Sequence, residues 1–549
     1  MRWERPAAGR EPAAAALLGW LADPHAPRLC LVSGSAGCGK SGLLAWLVHH
    51  GTRSGTAAER AVHAVVPSAG RSAAGTVWAL ADQLGVAARS RGELVRAVSS
   101  DPRRTVIVLP DLHEEEAAGL VLDLARVAHV RLVVESRTGS GAHRLLAGSG
   151  CAELDLDLER WRDPESFEQW RASAPEGVAV AASSPPAGEV DLSDATAVCA
   201  ADPWSVTAGY EKDGAGEHGG LRDAWLSAGQ ALCAEPSPAT RALILLGALG
   251  DRADPRYAPA LRALAGGAAW DLEWSRVRGD VTPPWPGPVT AVARGRGPLA
   301  GCLLVAGVDA TVRAVGASDA AARGRVPLSG DRPVSLVGLP DGTVLFVDEH
   351  GHVHRESARP AEPERSGIAG LLDDTPTGAQ RLAELLRGRR GTDLAYAEGG
   401  ALGTVVLGDA TGAVRAFGDI TDSASLHEGV VTGLAALGLP VGDGAATLPL
   451  VYSGGADGTV RAWSPGSAPM AGVLMRRSCP VVSLDAAMTA SGPTAVVAWA
   501  DGLVEWIDWA SGARRTVRPG PPVRAVALDA RGRVFVGTDH ALMCFAPRP

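Results

Sequence analysis

One stretch, Arg28–His50, constrains the fold of this chain most: RLCLVSGSAGCGKSGLLAWLVHH. An apolar run leads into a glycine-rich turn, and a helical pattern follows directly. Within the stretch, Gly34–Ser41 reads GSAGCGKS and fits the pattern GxxxxGK[ST] completely. That pattern is informative only between a strand and a helix, and both are predicted here. The stretch therefore predicts a strand–loop–helix unit of an α/β domain with a parallel sheet.

The residue types of this loop suit phosphate chemistry. Gly34, Gly37 and Gly39 let the backbone curl so that its N–H groups face phosphate oxygens, and the helix start adds its positive dipole end. Lys40 would reach the β- and γ-phosphates, and the Ser41 hydroxyl would ligate Mg²⁺. The predicted cofactors are ATP and Mg²⁺. The predicted binding residues are Gly34, Ser35, Ala36, Gly37, Cys38, Gly39, Lys40 and Ser41. The alternative is a glycine turn at a helix start with no ligand.

Composition narrows the class of protein. The 549 residues predict two to four domains, and only two of the 52 basic residues are lysines, Lys40 and Lys212. Arginine supplies almost all the positive charge of this chain. A lysine at the position that contacts phosphate in this pattern therefore favours the phosphate role of the loop. The net charge of −9 argues against a nucleic-acid or acidic membrane surface. The eight cysteines form no CxxC pair, and no apolar stretch approaches a membrane span of roughly 20 residues. We expect a cytoplasmic protein with no nucleic-acid or membrane partner.

Strand and helix patterns alternate over residues 1–172, which predicts an α/β domain. After the glycine-rich loop, strands are predicted at Ala61–Val66, Thr105–Leu109, Val130–Glu135 and Ala152–Leu156. Helices are predicted at Ser72–Leu84, Glu93–Ser99 and Glu114–Val127.

This domain resembles the nucleotide-binding module of STAND NTPases, the signal-transduction branch of the AAA-like P-loop proteins. The resemblance rests on GRE at Gly9–Glu11, on the glycine-rich loop as Walker A, on VIVLPDLHEE at Val106–Glu115 as Walker B, and on LVVESR at Leu132–Arg137 as the sensor strand. A fifth stretch, Ala152–Trp170, is similar to the acidic segment of actinobacterial members that carry propellers.

The Walker B block departs from the family pattern. Pro110 occupies the place of the Asp that holds Mg²⁺, and Asp111 follows one residue late. The resemblance implies Asp111 as a metal residue if the turn at Pro110 redirects it, Glu114 as the group that orients water, and Arg137 as a contact to the γ-phosphate. The alternatives are that Asp111 and Glu114 begin a solvated helix and that Arg137 is a surface residue. We expect a weak ATPase at most.

Residues 173–265 are predicted to form a linker and a small helical module. Ser173–Ser193 is rich in Ala, Ser and Pro, and helical patterns follow at Leu221–Ala234 and Pro238–Leu249. The aromatic residues Trp204, Tyr210 and Trp225 are interpreted as core rather than as a ligand cage.

Residues 266–549 contain a recurring unit, most clearly VYSGGADGTVRAW at Val451–Trp463, in which Asp-Gly separates two apolar runs. Aligned on Gly458, further copies centre on Ala310, Gly351, Gly412, Gly502 and His540, spaced by about 40 to 60 residues. This region resembles a degenerate WD-repeat β-propeller. We predict six blades, a helical insertion at Ala379–Arg387, and closure by Ala268–Val277 as the outer strand of the last blade.

These features predict an ATP-binding signalling switch whose propeller recognises a protein partner, with any output made through a separate effector protein. The alternative is a non-catalytic scaffold in which the loop holds nucleotide structurally, and Pro110 favours it. A small-molecule kinase is disfavoured because no acceptor pocket or Arg-rich lid is visible. The sequence leaves open the partner, the choice of ATP or GTP, and the oligomeric state.

Overall fold

The computed structural model describes residues 6–173, 190–214, 216, 218–279, 285–357, 377–441, 446–520 and 522–548. Its internal contacts divide the chain into two compact units. The first comprises Met1–Leu192 and Ala201–Gly216, and the second comprises Ser193–Ala200 and Glu217–Pro549. Most of the predicted linker Ser173–Ser193 lies outside the described residues.

The first unit is built on a five-stranded parallel sheet with the strand order β2-β3-β4-β1-β5. The strands are β1 (Leu29–Ser33), β2 (Ala64–Val65), β3 (Thr105–Leu109), β4 (Val130–Glu135) and β5 (Ala152–Asp155). Every residue of β1, β3 and β4 is buried, as expected when helices cover both faces of a parallel sheet. The predicted α/β class with a parallel sheet is confirmed.

Seven helices accompany this sheet among the described residues. They are α1 (Glu11–Ala22), α2 (Lys40–Gly51), α3 (Ala73–Leu84), α4 (Arg91–Ser100), α5 (Glu115–Ala125), α6 (Gly141–Ala147) and α7 (Pro164–Ser173). Ser72 and Ser90 begin α3 and α4 as N-caps, because each hydroxyl accepts a hydrogen bond from a backbone N–H of the first turn. The three helices predicted after the loop are present, and their ends lie within two residues of the predicted bounds.

Five helices follow: α8 (Ala195–Ala200), α9 (Pro203–Lys212), α10 (Leu221–Ala234), α11 (Pro238–Ala248) and α12 (Tyr257–Leu264). Helix α9 belongs to the first unit, and the other four belong to the second. The aromatic residues of this segment divide accordingly: Trp204 and Tyr210 fall in the first unit, and Trp225 falls in the second. Tyr210 and Trp225 are fully buried.

The second unit contains a six-bladed β-propeller, which confirms the predicted fold of this region. Blade 1 is β7–β10 (Val289–Arg294, Cys302–Gly307, Val312–Gly316, Ala322–Val326), and blade 2 is β11–β13 (Pro333–Gly338, Thr343–Asp348, Val353–Ser357). Blade 3 is β14–β17 (Asp393–Ala397, Thr404–Gly408, Ala413–Gly418, Asp422–Ser425), and blade 4 is β18–β21 (Val431–Val441, Ala446–Gly455, Thr459–Trp463, Met475–Arg476). Blade 5 is β22–β25 (Val481–Thr489, Gly492–Trp499, Val504–Asp508, Arg514–Val517). The predicted helical insertion is α13 (Gly378–Leu386).

Blade 6 closes the ring. Its first three strands are β26–β28 (Val523–Leu528, Val534–Thr538, Ala541–Pro547), and its outer strand β6 (Trp270–Val277) comes from before blade 1. Trp270 donates its indole N–H to the Thr516 carbonyl of blade 5 at 3.0 Å, and Trp274 donates to the Ala317 carbonyl of blade 1 at 3.1 Å. The outer strand therefore contacts both neighbouring blades, and the predicted closure is confirmed.

Blade 4 shows how the repeat is stabilised. His427 is 6% exposed; its Nδ1 atom lies 3.1 Å from Asp457 Oδ1, and its Nε2 atom lies 2.9 Å from Ser453 Oγ. The Thr459 hydroxyl donates to the same Asp457 carboxylate at 2.8 Å. Burial lowers the pKa of His427, which favours the neutral ring. A buried polar network of this kind stabilises one register because each member has a partner.

Candidate functional site

The glycine-rich loop lies between β1 and α2, as the sequence pattern requires. Gly34, Gly37 and Gly39 have φ angles of +141°, +80° and +98°, values that residues with a Cβ atom rarely adopt. A Cβ atom added to Gly34 would lie 2.6 Å from Cys38 Sγ. The three glycines therefore permit a tight turn between β1 and the start of α2.

Lys40 begins α2 and folds back across the loop. Its side chain is 7% exposed, and its Nζ atom donates to the carbonyls of Gly34 at 3.0 Å and Ser35 at 2.7 Å. The ammonium group is thus held against the backbone of the first two residues of the loop.

Arg10 forms hydrogen bonds with the loop. The sequence did not predict this contact, although Arg10 lies in the GRE motif. Its guanidinium donates to the Cys38 carbonyl in the loop, to the Leu156 carbonyl at 3.0 Å and to the Trp161 carbonyl at 3.3 Å. Arg10 is 5% exposed, and burial lowers the pKa of this group. One buried cation therefore joins the loop to the segment that follows β5.

Asp157 contacts the loop from the same segment. One carboxylate oxygen accepts from the Ser35 backbone N–H at 2.7 Å, and the other accepts from the Ser35 hydroxyl at 2.7 Å. The hydrogen bonds from Ser35 lower the pKa of Asp157. The acidic stretch after β5 was noted in the sequence, but nothing in it predicted that Asp157 would contact this loop.

Glu135 contacts the first turn of α2, and the sequence analysis did not single it out. It ends β4, pairs in register with Val32 of β1, and accepts from the Ser41 hydroxyl through Oε1 at 2.8 Å. The residue is 3% exposed, and burial raises the pKa of its carboxyl group, as does the charge of Asp111, although hydrogen bonds from Ser41 and from the Asp111 backbone and the charge of Lys40 lower it.

Asp111, the predicted metal residue, follows the turn at Pro110. The Pro110 carbonyl accepts from the Ser68 N–H at 3.0 Å, and Asp111 has a φ angle of +57°. Its side chain is 46% exposed, and Oδ1 lies 2.6 Å from His113 Nε2. Among the described contacts, the hydroxyl of Ser41 is bonded to Glu135 rather than to Asp111.

Glu114 and Arg137, the predicted catalytic residues, are both exposed. Glu114 is the N-cap residue of α5, where acidic side chains favour the positive end of the helix dipole. Arg137 follows β4, and the next residue, Thr138, donates its backbone N–H to the Gly34 carbonyl at 3.3 Å. Arg137 is thus adjacent in sequence to a residue that contacts the loop.

The chemistry of this site fits a magnesium nucleotide. Backbone N–H groups, the Lys40 ammonium and a serine hydroxyl suit phosphate and metal, and Oε2 of Glu135 is buried without a hydrogen-bond partner in the described part of the chain. No group of three or more His, Cys, Asp or Glu side chains that could hold a metal occurs among the described residues. Magnesium at a nucleotide needs only one or two carboxylates, because phosphates supply the remaining oxygens.

The propeller has a polar channel among its six innermost strands, with a cavity of about 90 Å³. Asp393 and Asp485 line it; each accepts a backbone N–H from the next blade, from Leu434 at 2.5 Å and from Leu528 at 2.8 Å. Burial raises the pKa of Asp393 to about 7 and also raises that of Asp485. These aspartates link adjacent blades by hydrogen bonds, and their polar side chains line the channel inside the ring of blades.

Comparison of the chain with known protein families and with curated proteins gave no match to any family model or to any curated protein. The fold and the site geometry therefore define the class: an α/β unit with a parallel sheet, and a unit that contains a six-bladed propeller. In the described residues, no helix has both the length and the apolar character that crossing a membrane requires.

Proposed function

We propose that this chain is a cytoplasmic ATP-binding switch whose propeller recognises a protein partner. The observation that carries the proposal is the loop at Gly34–Ser41, in which three glycines have positive φ angles and Lys40, at the start of a helix, donates to the Gly34 carbonyl. Such a loop is a ready site for an anion, since its backbone N–H groups and the helix dipole favour negative charge. The Ser41 hydroxyl beside a buried carboxylate supports Mg²⁺ as the accompanying cation.

The partner is proposed to be a protein because a propeller offers a rigid disc with short, protected edges. Six sheets closed by β6 supply such a disc in this chain. The STAND-like resemblance adds that the output would be made through a separate effector. Fold alone does not establish function, so this part of the proposal depends on experiment.

The second candidate is a scaffold in which nucleotide has only a structural role. It is favoured by the exposed, His113-paired carboxylate of Asp111, which in this arrangement contributes no bond to Ser41. The two candidates differ in one property. A switch changes its partner affinity with nucleotide, whereas a scaffold does not.

Direct measurement of nucleotide binding tests the site that both candidates share. Isothermal titration of Mg·ATP into the wild-type chain should give saturable binding, and Lys40→Ala should weaken it about 10- to 100-fold because a hydrogen bond to a charged group is worth about 1.5–3 kcal/mol. Lys212→Ala, which changes the other lysine at the end of α9, is the matched control and should bind as the wild type does. Equal affinities for the Lys40 and Lys212 variants would refute the assignment of the loop.

A further inference from the structure

The carboxylate of Glu135 is buried although only one of its two oxygens has a hydrogen-bond partner in the described residues. Glu135 is 3% exposed. Its Oε1 atom accepts a hydrogen bond from the Ser41 hydroxyl at 2.8 Å, and its Oε2 atom is buried with no hydrogen-bond partner in the described residues. Buried polar atoms without partners are rare, because desolvation costs free energy that no bond offsets. Such an atom beside a candidate ligand site requires an explanation.

The strand order explains why this residue reaches Ser41. Strand β4 lies between β1 and β3, so its last residue is a direct neighbour of β1, with Glu135 in register with Val32 two residues before Gly34. Strand β3, which carries the expected acidic block, is one strand further from the loop. A carboxylate at the end of β4 therefore lies on the strand that pairs directly with the strand entering the loop.

The two acidic candidates differ in what they face. Glu135 is buried and bonded to the Ser41 hydroxyl, the group that the loop pattern assigns to Mg²⁺. Asp111 is 46% exposed and lies 2.6 Å from His113. In P-loop NTPases, nucleotide-bound Mg²⁺ is held by the loop hydroxyl together with one acidic side chain, usually an aspartate that follows the Walker B strand.

We propose that Glu135, at the end of β4, supplies the carboxylate that holds Mg²⁺ on the bound nucleotide, in place of the aspartate that Pro110 replaces. This assignment rests on the proposed nucleotide site. It predicts that metal affinity depends on Glu135 and not on Asp111.

Glu135→Gln is the informative variant, since glutamine has nearly the same size and keeps an acceptor for Ser41 while it removes the charge. A residue that only supports the helix start would tolerate this change. The matched control is Glu153→Gln on β5: Glu153 Oε1 accepts from the Ser33 hydroxyl of β1 at 2.7 Å, so it is a second glutamate–serine pair on the opposite neighbour of the same strand.

The experiment measures Mn²⁺ binding to the protein saturated with a non-hydrolysable ATP analogue, by electron paramagnetic resonance, and the affinity for that analogue in EDTA by titration. We expect Glu135→Gln to lower Mn²⁺ affinity about 10- to 100-fold. The affinity for the analogue in EDTA should not fall, and Glu153→Gln and Asp111→Asn should keep the wild-type metal affinity.

Wild-type metal affinity in Glu135→Gln would overturn the assignment, most directly if Asp111→Asn lost it instead. A wild-type chain that binds the analogue equally with and without metal would also overturn it. A wild-type chain that binds no nucleotide under either condition would refute the proposed nucleotide site itself, and the role of Glu135 would fall with it. The failure of the function and the failure of the assignment are thus distinguishable.

Discussion

At Gly34 the backbone leaves the sheet with a φ angle of +141°, and a Cβ atom there would lie 2.6 Å from Cys38 Sγ. Both the torsion angle and the space therefore require glycine. The same residue accepts from the Lys40 ammonium and from the Thr138 N–H through its carbonyl. The conformation of this single residue thus affects both the loop and the segment after β4.

Gly34→Ala should distort the loop and abolish measurable Mg·ATP binding by isothermal titration, with a loss of about 1–3 kcal/mol in the stability of the first unit, the usual cost of a strained backbone residue. Gly92→Ala is the control: this glycine lies in α4 with nothing within 4 Å of the added Cβ atom. It should bind as the wild type does and be slightly more stable, because alanine favours helices. Unchanged binding in Gly34→Ala would contradict the account of the loop.

Asp393 is the residue in the propeller whose titration should be visible in stability. Burial raises its pKa to about 7, and the neighbouring charge of Asp485 raises it too, whereas hydrogen bonds from Ser335, Leu394 and Leu434 lower it. The folded state therefore binds more protons than the unfolded state between pH 4 and pH 7. The stabilising contribution is fully present below about pH 4 and is lost as the pH rises through 7.

In urea unfolding of the propeller, followed from pH 5 to pH 8, the contribution of Asp393 to stability should decline as the pH rises, opposite in sign to that of His427, whose pKa is lowered. Asp393→Asn, which keeps an acceptor for the Leu434 N–H, should make this decline shallower and be more stable than the wild type at pH 8. Some decline should remain, because the pKa of Asp485 is also raised. The exposed Asp251→Asn serves as the control. Identical pH slopes in the Asp393 variant and the wild type would show that Asp393 does not titrate in this range.

At the scale of elements, β6 completes blade 6 from a distant part of the chain. Trp270 is 1% exposed, its ring centroid lies 6.4 Å from that of Phe545 on β28, and its indole N–H is bonded to blade 5. Without this strand, β28 would be an open edge, which is an aggregation hazard.

Trp270→Ala should destabilise the propeller by about 3–5 kcal/mol, the usual cost of removing a buried tryptophan. It should also increase aggregation, measured by urea unfolding and by light scattering. Trp170→Ala, at a tryptophan that is 44% exposed on α7, is the control and should change little. A propeller that melts as the wild type does after the loss of Trp270 would contradict the closing role of β6.

The sequence predicted the elements whose buried residues form a recognisable apolar pattern. Strands β3 and β4 match their predicted bounds, because every residue in them is buried and most of their residues are apolar. Apart from β6, the outer strands of the blades were not predicted. Strand β10 has four exposed residues out of five, and Val517 is the one apolar residue of β25, so neither strand carries an alternating apolar pattern in its sequence.

The candidate site was predicted only where its residues are contiguous. The loop Gly34–Ser41 could be located because its chemistry is local. Glu135, Asp157 and Arg10 could not be assigned to it, because their contacts with the loop depend on strand order and on a segment more than 100 residues away in sequence. Parallel strand order is not encoded by any local pattern, so the proximity of β4 to β1 required the structure.

At the scale of the whole molecule, the chain passes between the two units three times within a short segment. Leu192 ends one stretch of the first unit, Ser193–Ala200 belongs to the second, Ala201–Gly216 returns to the first, and Glu217 begins the remainder of the second. The proposed switch requires that nucleotide binding and partner binding be coupled. Coupling of this kind is reciprocal and usually worth about 1–3 kcal/mol, a 5- to 150-fold change in affinity.

The proposed switch is tested most directly by quantitative capture of partner proteins from a lysate, with the wild-type chain and with Lys40→Ala, each with and without Mg·ATP. We expect the proteins recovered by the wild type to change in amount about 5- to 150-fold when nucleotide is added, whereas the Lys40 variant should show no such change. Recovery of the same proteins in the same amounts under all four conditions would contradict the switch and favour the scaffold.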